Sequence, residues 1–214
     1  MSAWHIHIMN ARNQLTELLE TLTSAVSDAQ NGCINVHDPV ALDLTVRGTN
    51  WPMPKALRVS GSAYGPGRID IVIDMSAGFS GEELHQAMLR TIYHEFHHVL
   101  RWDGPGYGQT LGEALVSEGL AQHFVHEMMT CPAEPWENAI DGAELLEAQS
   151  LAAQEFDAKP YDHSKWFFGR GKLSRWAGYT VGFEMVAKYL AEQSDTTALH
   201  NATTPASEFA RFLR

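Results

Sequence analysis

The stretch His94-Glu95-Phe96-His97-His98-Val99-Leu100-Arg101-Trp102, HEFHHVLRW, packs three histidines and a glutamate into five positions. It contains H-E-x-x-H at 94–98, a spacing with a meaning only if the segment is helical. Successive helical residues turn by about 100°, so His94 and His98 project about 40° apart and one turn apart. Two imidazoles so placed can converge on one cation that takes nitrogen at about 2.0–2.1 Å. Glu95 lies about 100° from His94 and about 60° from His98, beside that point rather than on it. Leu84, Met88, Ile92, Phe96, Val99 and Leu100 form the apolar stripe of the same helix. His97 falls near the directions of Gln86, Arg90 and Arg101, and this phase assigns it to the solvated side or to a supporting role beside the ligands. The helix has a clear start, because Ser80 and Glu83 form an S-x-x-E capping box.

Two histidines leave a catalytic zinc short of a ligand, since such sites usually have three protein ligands and a water. After the turn DGPGYG (103–108) the sequence TLGEALVSEGLAQHFVHEMM predicts a second helix over about 110–129. Leu111, Ala114, Leu115, Ala121, Val125 and Met129 share one face, and Glu118 sits in the middle of it. A carboxylate there is costly unless it meets a cation or good donors. It can fold back on His94 and His98 as the third ligand, or pair with an arginine such as Arg90 or Arg101. Glu113 points the other way and reads as a plain surface residue. His123 and His126 project away from Glu118 and read as ordinary helix histidines. An H-E-x-x-H-x-x-G-x-x-H site is excluded, because Arg101 and Gly104 stand where it needs Gly and His.

The 214 residues suffice for one domain with its own core, β-rich over about 1–80 and helical over about 81–214. WHIHIMNA (4–11) alternates like a strand and leads into a helical pattern to about Ala25. INVHD, ALDLTVRG, ALRVSGSAYG and RIDIVIDMS read as strands, the last two joined by a turn at Tyr64-Gly65-Pro66-Gly67. Further helices are expected over 135–156, 175–193 and 204–213, with FFGRGK (167–172) a loop. The fold class is therefore α+β. A formal net charge of −11 does not suit nucleic acid or an anionic membrane as partner. There is no signal peptide or membrane span in the sequence, and Cys33 and Cys131 make no disulfide framework, so a reduced, cytoplasmic protein is expected.

The order HEFHH, nineteen residues, then Glu resembles the gluzincins, the zinc metallopeptidases that include the thermolysin-like enzymes. More closely, HEFHH, TLGEALVSEGLAQHF, WFFG and WAGYTVGF are similar to a bacterial family known only as predicted zinc-dependent proteases, over roughly residues 57–193. The resemblance implies a zincin-like fold, with a small twisted mixed sheet on the active-site helix. It implies Zn2+ held by His94, His98 and Glu118, a peptide or protein substrate, and Glu95 as general base toward a water. It also implies an oxyanion donor downstream, for which Tyr179 in WAGYTVGF is the first candidate and His163 and Arg175 are weaker ones. Tyr179 shares a stripe with Trp176, Phe183, Val186 and Leu190, so a core tyrosine is the competing reading. By analogy with zincins, Ser60, Gly61, Ser62 and Ala63 would form an edge strand that pairs with extended substrate. One departure stands out: thermolysin-like enzymes carry Asp four residues after the ligand glutamate, and this chain has Gln122. A zinc hydrolase of a non-peptide amide, or a non-proteolytic zinc-binding interaction domain, would share most of these features.

Overall fold

Strict alternation in LDLTVRGT and RIDIVID makes two strands with one dry face each. Leu42, Leu44, Val46, Ile69, Ile71 and Ile73 are all buried, while Asp43, Arg47 and Arg68 on the opposite face are exposed. The computed structural model describes residues 4–38, 40–51, 53–54, 57–193 and 195–213. The chain divides into two units, Met1–Val99 and Leu100–Arg214.

The first unit holds a four-stranded mixed sheet in the order β1-β2-β4-β3. β1 (Trp4–Met9) and β2 (Leu42–Thr49) are parallel, and β2 is parallel to β4 (Arg68–Asp74). β3 (Val59–Gly65) is antiparallel to β4, as the turn signal predicted, and forms an edge. Gly67 turns that hairpin at φ 76°, a backbone state that suits glycine. Ala56, the first residue of the expected strand segment, lies outside the described residues. Between β1 and β2 runs α1 (Leu19–Val36), burying Leu22, Ala25, Val26, Ala29 and Cys33. The expected helix end near Ala25 and the expected strand INVHD are thus both corrected. A 3.6-residue apolar period continues to Cys33, and Ile34, Asn35 and Val36 complete its last turn. Burial pushes the Cys33 thiol up to about 12, which suits an inert packing residue.

α2 (Gly81–Arg101) starts at the predicted capping box. The Ser80 amide donates to Glu83 Oε2 at 2.9 Å, and the Glu83 amide donates to Ser80 Oγ at 3.2 Å. Leu84, Met88, Ile92, Phe96 and Val99 bury along the expected stripe. The Phe96 ring lies 6.0 Å from that of Trp4 on β1, and His85 Nε2 meets Asp28 on α1 at 2.9 Å.

In the second unit, α3 (Leu111–Met128) begins at Thr110, which together with Glu113 makes a capping box. Glu113 Oε2 accepts the amides of Gln109 at 2.7 Å and Thr110 at 2.9 Å, so it is a half-buried cap, not a plain surface residue. α3 is also not a one-stripe helix. Every other residue from Leu111 to Gln122 is buried, as in a central core helix. α6 (Ala177–Glu192) lies against α3. The approach is close because the crossing is glycine on glycine. A Cβ on Gly119 would stand 2.8 Å from Val186 Cγ2, and one on Gly182 would stand 3.1 Å from the Leu115 carbonyl carbon.

Two expected helices change and one is added. α4 (Gly142–Glu155) starts later than 135. The preceding loop satisfies its backbone on Thr180, whose Oγ1 accepts from the Ala139 amide and donates to the Trp136 carbonyl. A short α5 (His163–Phe167), capped by Asp162, was not expected. Residues 204–213 form two 3₁₀ turns, Ala206–Glu208 and Ala210–Leu213. Phe209 and Phe212, three apart, both pack on Tyr189, a spacing that one tight turn accommodates. No helix among the described residues is long and apolar enough to cross a membrane.

Candidate metal centre

The helix phase inferred for α2 brings His94 and His98 together. Their Nε2 atoms lie 3.1 Å apart, with ring centroids at 4.7 Å and ring planes at 83°. Two nitrogens on a tetrahedral zinc, each about 2.0–2.1 Å from it, would be about 3.3 Å apart. A carboxylate oxygen of Glu118 joins them, and the three ligand atoms all lie within 4.8 Å of one another. His98 and Glu118 are each 5% exposed. Two imidazole nitrogens and one carboxylate oxygen, largely out of water, are a donor set that zinc accepts. The residues present therefore fit the ion.

Glu95 points from α2 toward the sheet and is buried. Its carboxylate meets the backbone of β3 at Gly61, where a Cβ would stand 2.7 Å from Oε1 and 2.8 Å from Cδ. Gly61 is thus the point on β3 where Glu95 comes close. Ser60, Gly61, Ser62 and Ala63 do lie on an edge strand. The Ser62 hydroxyl donates to the Gly61 carbonyl at 2.7 Å.

Glu118 is held by its own unit. The Tyr107 hydroxyl donates to Oε1 at 2.7 Å. Burial and the neighbouring carboxylate push that phenol well above its ordinary value, so it remains a donor. Gln122, which replaces the expected aspartate, does something different from supporting a histidine. Its Nε2 donates to the Glu118 carbonyl at 3.1 Å and to the Tyr179 carbonyl at 3.4 Å, tying α3 to α6. Glu118 also acts on two groups near the start of α5. Burial pushes the Tyr161 phenol up to about 12, with Glu118 adding to the rise. Burial lowers the His163 imidazole, and Glu118 and Asp162 pull it back. Tyr161 and His163 are themselves bonded, Oη to Nδ1 at 2.9 Å.

Tyr179 is half-buried in the first turn of α6, its ring edge-on to Phe167 at 4.9 Å. Arg175 is exposed and lies over the Trp176 ring. His123 belongs to no candidate metal cluster among the described residues; its Nε2 meets the Phe183 carbonyl at 3.0 Å and its ring stacks on Phe183. His126 meets Glu137 at 3.0 Å. His97, read as solvated or as a support beside the ligands, and Arg101, placed on the same polar face, are both fully buried, which removes the solvated reading. Arg101 Nη1 donates to the carbonyls of Ala202 and Thr204, and burial lowers its guanidinium to about 10. Helix phase reports which residues share a face, but the polar face of α2 is half-buried at Gln86 and Arg90 and fully buried at His97 and Arg101. Tyr107 was missed because it lies in a loop, where periodicity gives no direction. The only signal was its place between Gly106 and Gly108.

Comparison with known proteins agrees with this chemistry. A family model described as "Predicted Zn-dependent protease (DUF2268)" matches residues 26–211. An uncharacterised protein of Bacillus subtilis (strain 168), YjaZ, is 28% identical over 123 residues, or 54% of this chain and 47% of that protein. The chain thus spans about half the length of the curated relative it matches. No solved structure matches it significantly.

Proposed function

We propose, from the premise that this chain belongs to the family of predicted Zn-dependent proteases, that it is a zincin-like metallopeptidase of gluzincin type. The observation that carries the reading is the convergence of His94, His98 and Glu118 within 4.8 Å. These three residues would hold Zn2+. When bound, zinc lowers the pKa of a water toward about 7 and polarises a substrate carbonyl.

The chain's own residues supply the remaining chemistry. Glu95, next to His94 in sequence and largely shielded from solvent, takes a proton from water as the water oxygen bonds to the carbonyl carbon. It then delivers that proton to the amine nitrogen as the C–N bond breaks. A peptide lies along β3, pairing with the backbone of Ser60, Gly61, Ser62 and Ala63 on the open edge. Tyr179 is assigned to the developing oxyanion. His163, bonded to Tyr161 and within the field of Glu118, is the alternative donor.

Digestion of a peptide library with and without chelator tests the activity, and Glu95→Gln tests the mechanism. The variant should bind zinc with wild-type stoichiometry and lose at least about 100-fold in turnover, the scale of a lost general base. Retained turnover would remove Glu95 from the mechanism. Stoichiometric zinc without any chelator-sensitive cleavage would favour a binding domain instead.

A further inference from the structure

We propose that Tyr107 is a positioning residue for Glu118: its phenol holds Oε1 and so orients the carboxylate as a ligand before the cation arrives. The proposal rests on the zinc reading above and adds a residue to it.

Three observations lead to this assignment. First, the hydroxyl donates to Glu118 Oε1 at 2.7 Å, a short bond of the kind an ionised acceptor makes. Second, the loop is shaped to deliver the ring. Gly106 and Gly108 flank Tyr107 at φ 71° and 100°, both in the region that favours glycine. Gly106 also has no room for a side chain without crowding, since a Cβ would stand 3.2 Å from the Trp102 ring. Third, the backbone of Glu118 is anchored separately, its carbonyl receiving Gln122 Nε2 at 3.1 Å. The side chain is thus fixed at its far end by one residue and at its root by another. A long carboxylate with several rotamers would otherwise lose that freedom only on meeting the metal.

The consequence concerns metal affinity. With Oε1 held by a phenol, the Glu118 carboxylate would meet the ion already oriented. Partners that orient ligands in this way change metal affinity by about 10–100-fold when removed.

The experiment is zinc competition with a chromophoric chelator at neutral pH, using the full-length protein. Tyr107→Phe should bind zinc about 10–100-fold more weakly than wild type, while the zinc-free variant keeps its circular-dichroism spectrum. In a Glu118→Gln background, adding Tyr107→Phe should cause no further loss, because the phenol acts through that carboxylate. A merely structural tyrosine would lower the melting temperature of the zinc-free protein and leave affinity unchanged. Unchanged affinity, or equal losses in both backgrounds, overturns the assignment while leaving the zinc reading intact. Absence of zinc binding by the wild type overturns both. If Tyr107→Phe does not fold, wild-type protein labelled with 13C at tyrosine Cζ gives the same decision. The Tyr107 resonance should move when zinc is added, and an unmoved resonance overturns the proposal.

Discussion

A hydrogen atom on the Cα of Gly61 is all that separates β3 from the Glu95 carboxylate. A methyl group in its place would stand 2.7 Å from Oε1, well inside van der Waals contact, so either the strand or the acid must move. The carboxylate is the freer of the two, being the end of a side chain, while the strand is paired through Gly61 with Ile71 on β4. Gly61→Ala is therefore expected to displace Glu95 and lower kcat by about 10–100-fold, the scale of a 1 Å misplacement. Zinc stoichiometry should not change, because the candidate ligands are other residues. A wild-type kcat in this variant would show that the strand does not set the position of the acid. At this scale helix phase picked out His94, His98 and Glu118, which the structure brings within 4.8 Å of one another, and the H-E-x-x-H spacing picked out Glu95. Phase left His97 between solvent and a supporting role, because it cannot tell whether a polar face is covered. It gave no sign of Tyr107, whose partner is eleven residues away across a loop.

Elements meet where side chains permit, and α3 and α6 meet at Gly119 and Gly182. Glu118 adjoins one of these glycines, and Gln122 links its carbonyl to that of Tyr179. The crossing therefore also decides where the candidate ligand and the candidate oxyanion donor lie within their unit. Gly182→Ala would place a Cβ 3.1 Å from the Leu115 carbonyl carbon and 3.4 Å from the Gly119 amide. Overpacking of this kind costs about 1–3 kcal/mol. The expected result is a lower urea midpoint with an unchanged m-value. Gly65→Ala, with nothing within 4 Å of the new methyl, serves as the control and should shift the midpoint little. Gly178 and Gly182, i and i+4 in WAGYTVGF, are the two glycines of α6, and Cβ atoms on them would crowd Phe167 and Leu115 respectively. The apolar period of α1 runs on to Cys33 in plain sequence, although the helix was expected to end near Ala25. The start of α4 and the C-terminal 3₁₀ turns were not visible, because they depend on partners distant in sequence, Thr180 for the loop before α4 and Tyr189 for the turns.

The α+β class and the family both came through at the scale of the chain, because they depend on patterns repeated over many residues. The order of the strands did not, since alternation gives each strand a face but not a neighbour. What zinc would do to the whole molecule follows from the spacing of its ligands. Glu118 comes 24 positions after His94 and 20 after His98, so an unfolded chain does not hold the three together. Zinc should then bind the folded state alone and stabilise it by mass action, by about 2.7 kcal/mol at 100 times its Kd. For a chain of this size 1 kcal/mol moves Tm by about 2–4 °C, so saturation on that scale should raise Tm by about 5–11 °C. Chelator should reverse the rise. Glu95→Gln should keep it, because that carboxylate is not among the three candidate ligands, whereas His98→Ala and Glu118→Ala should lose most of it. A Tm that ignores zinc in the wild type, measured by scanning calorimetry, would mean that these residues are not a metal centre. The same rise in all four proteins would place the zinc elsewhere.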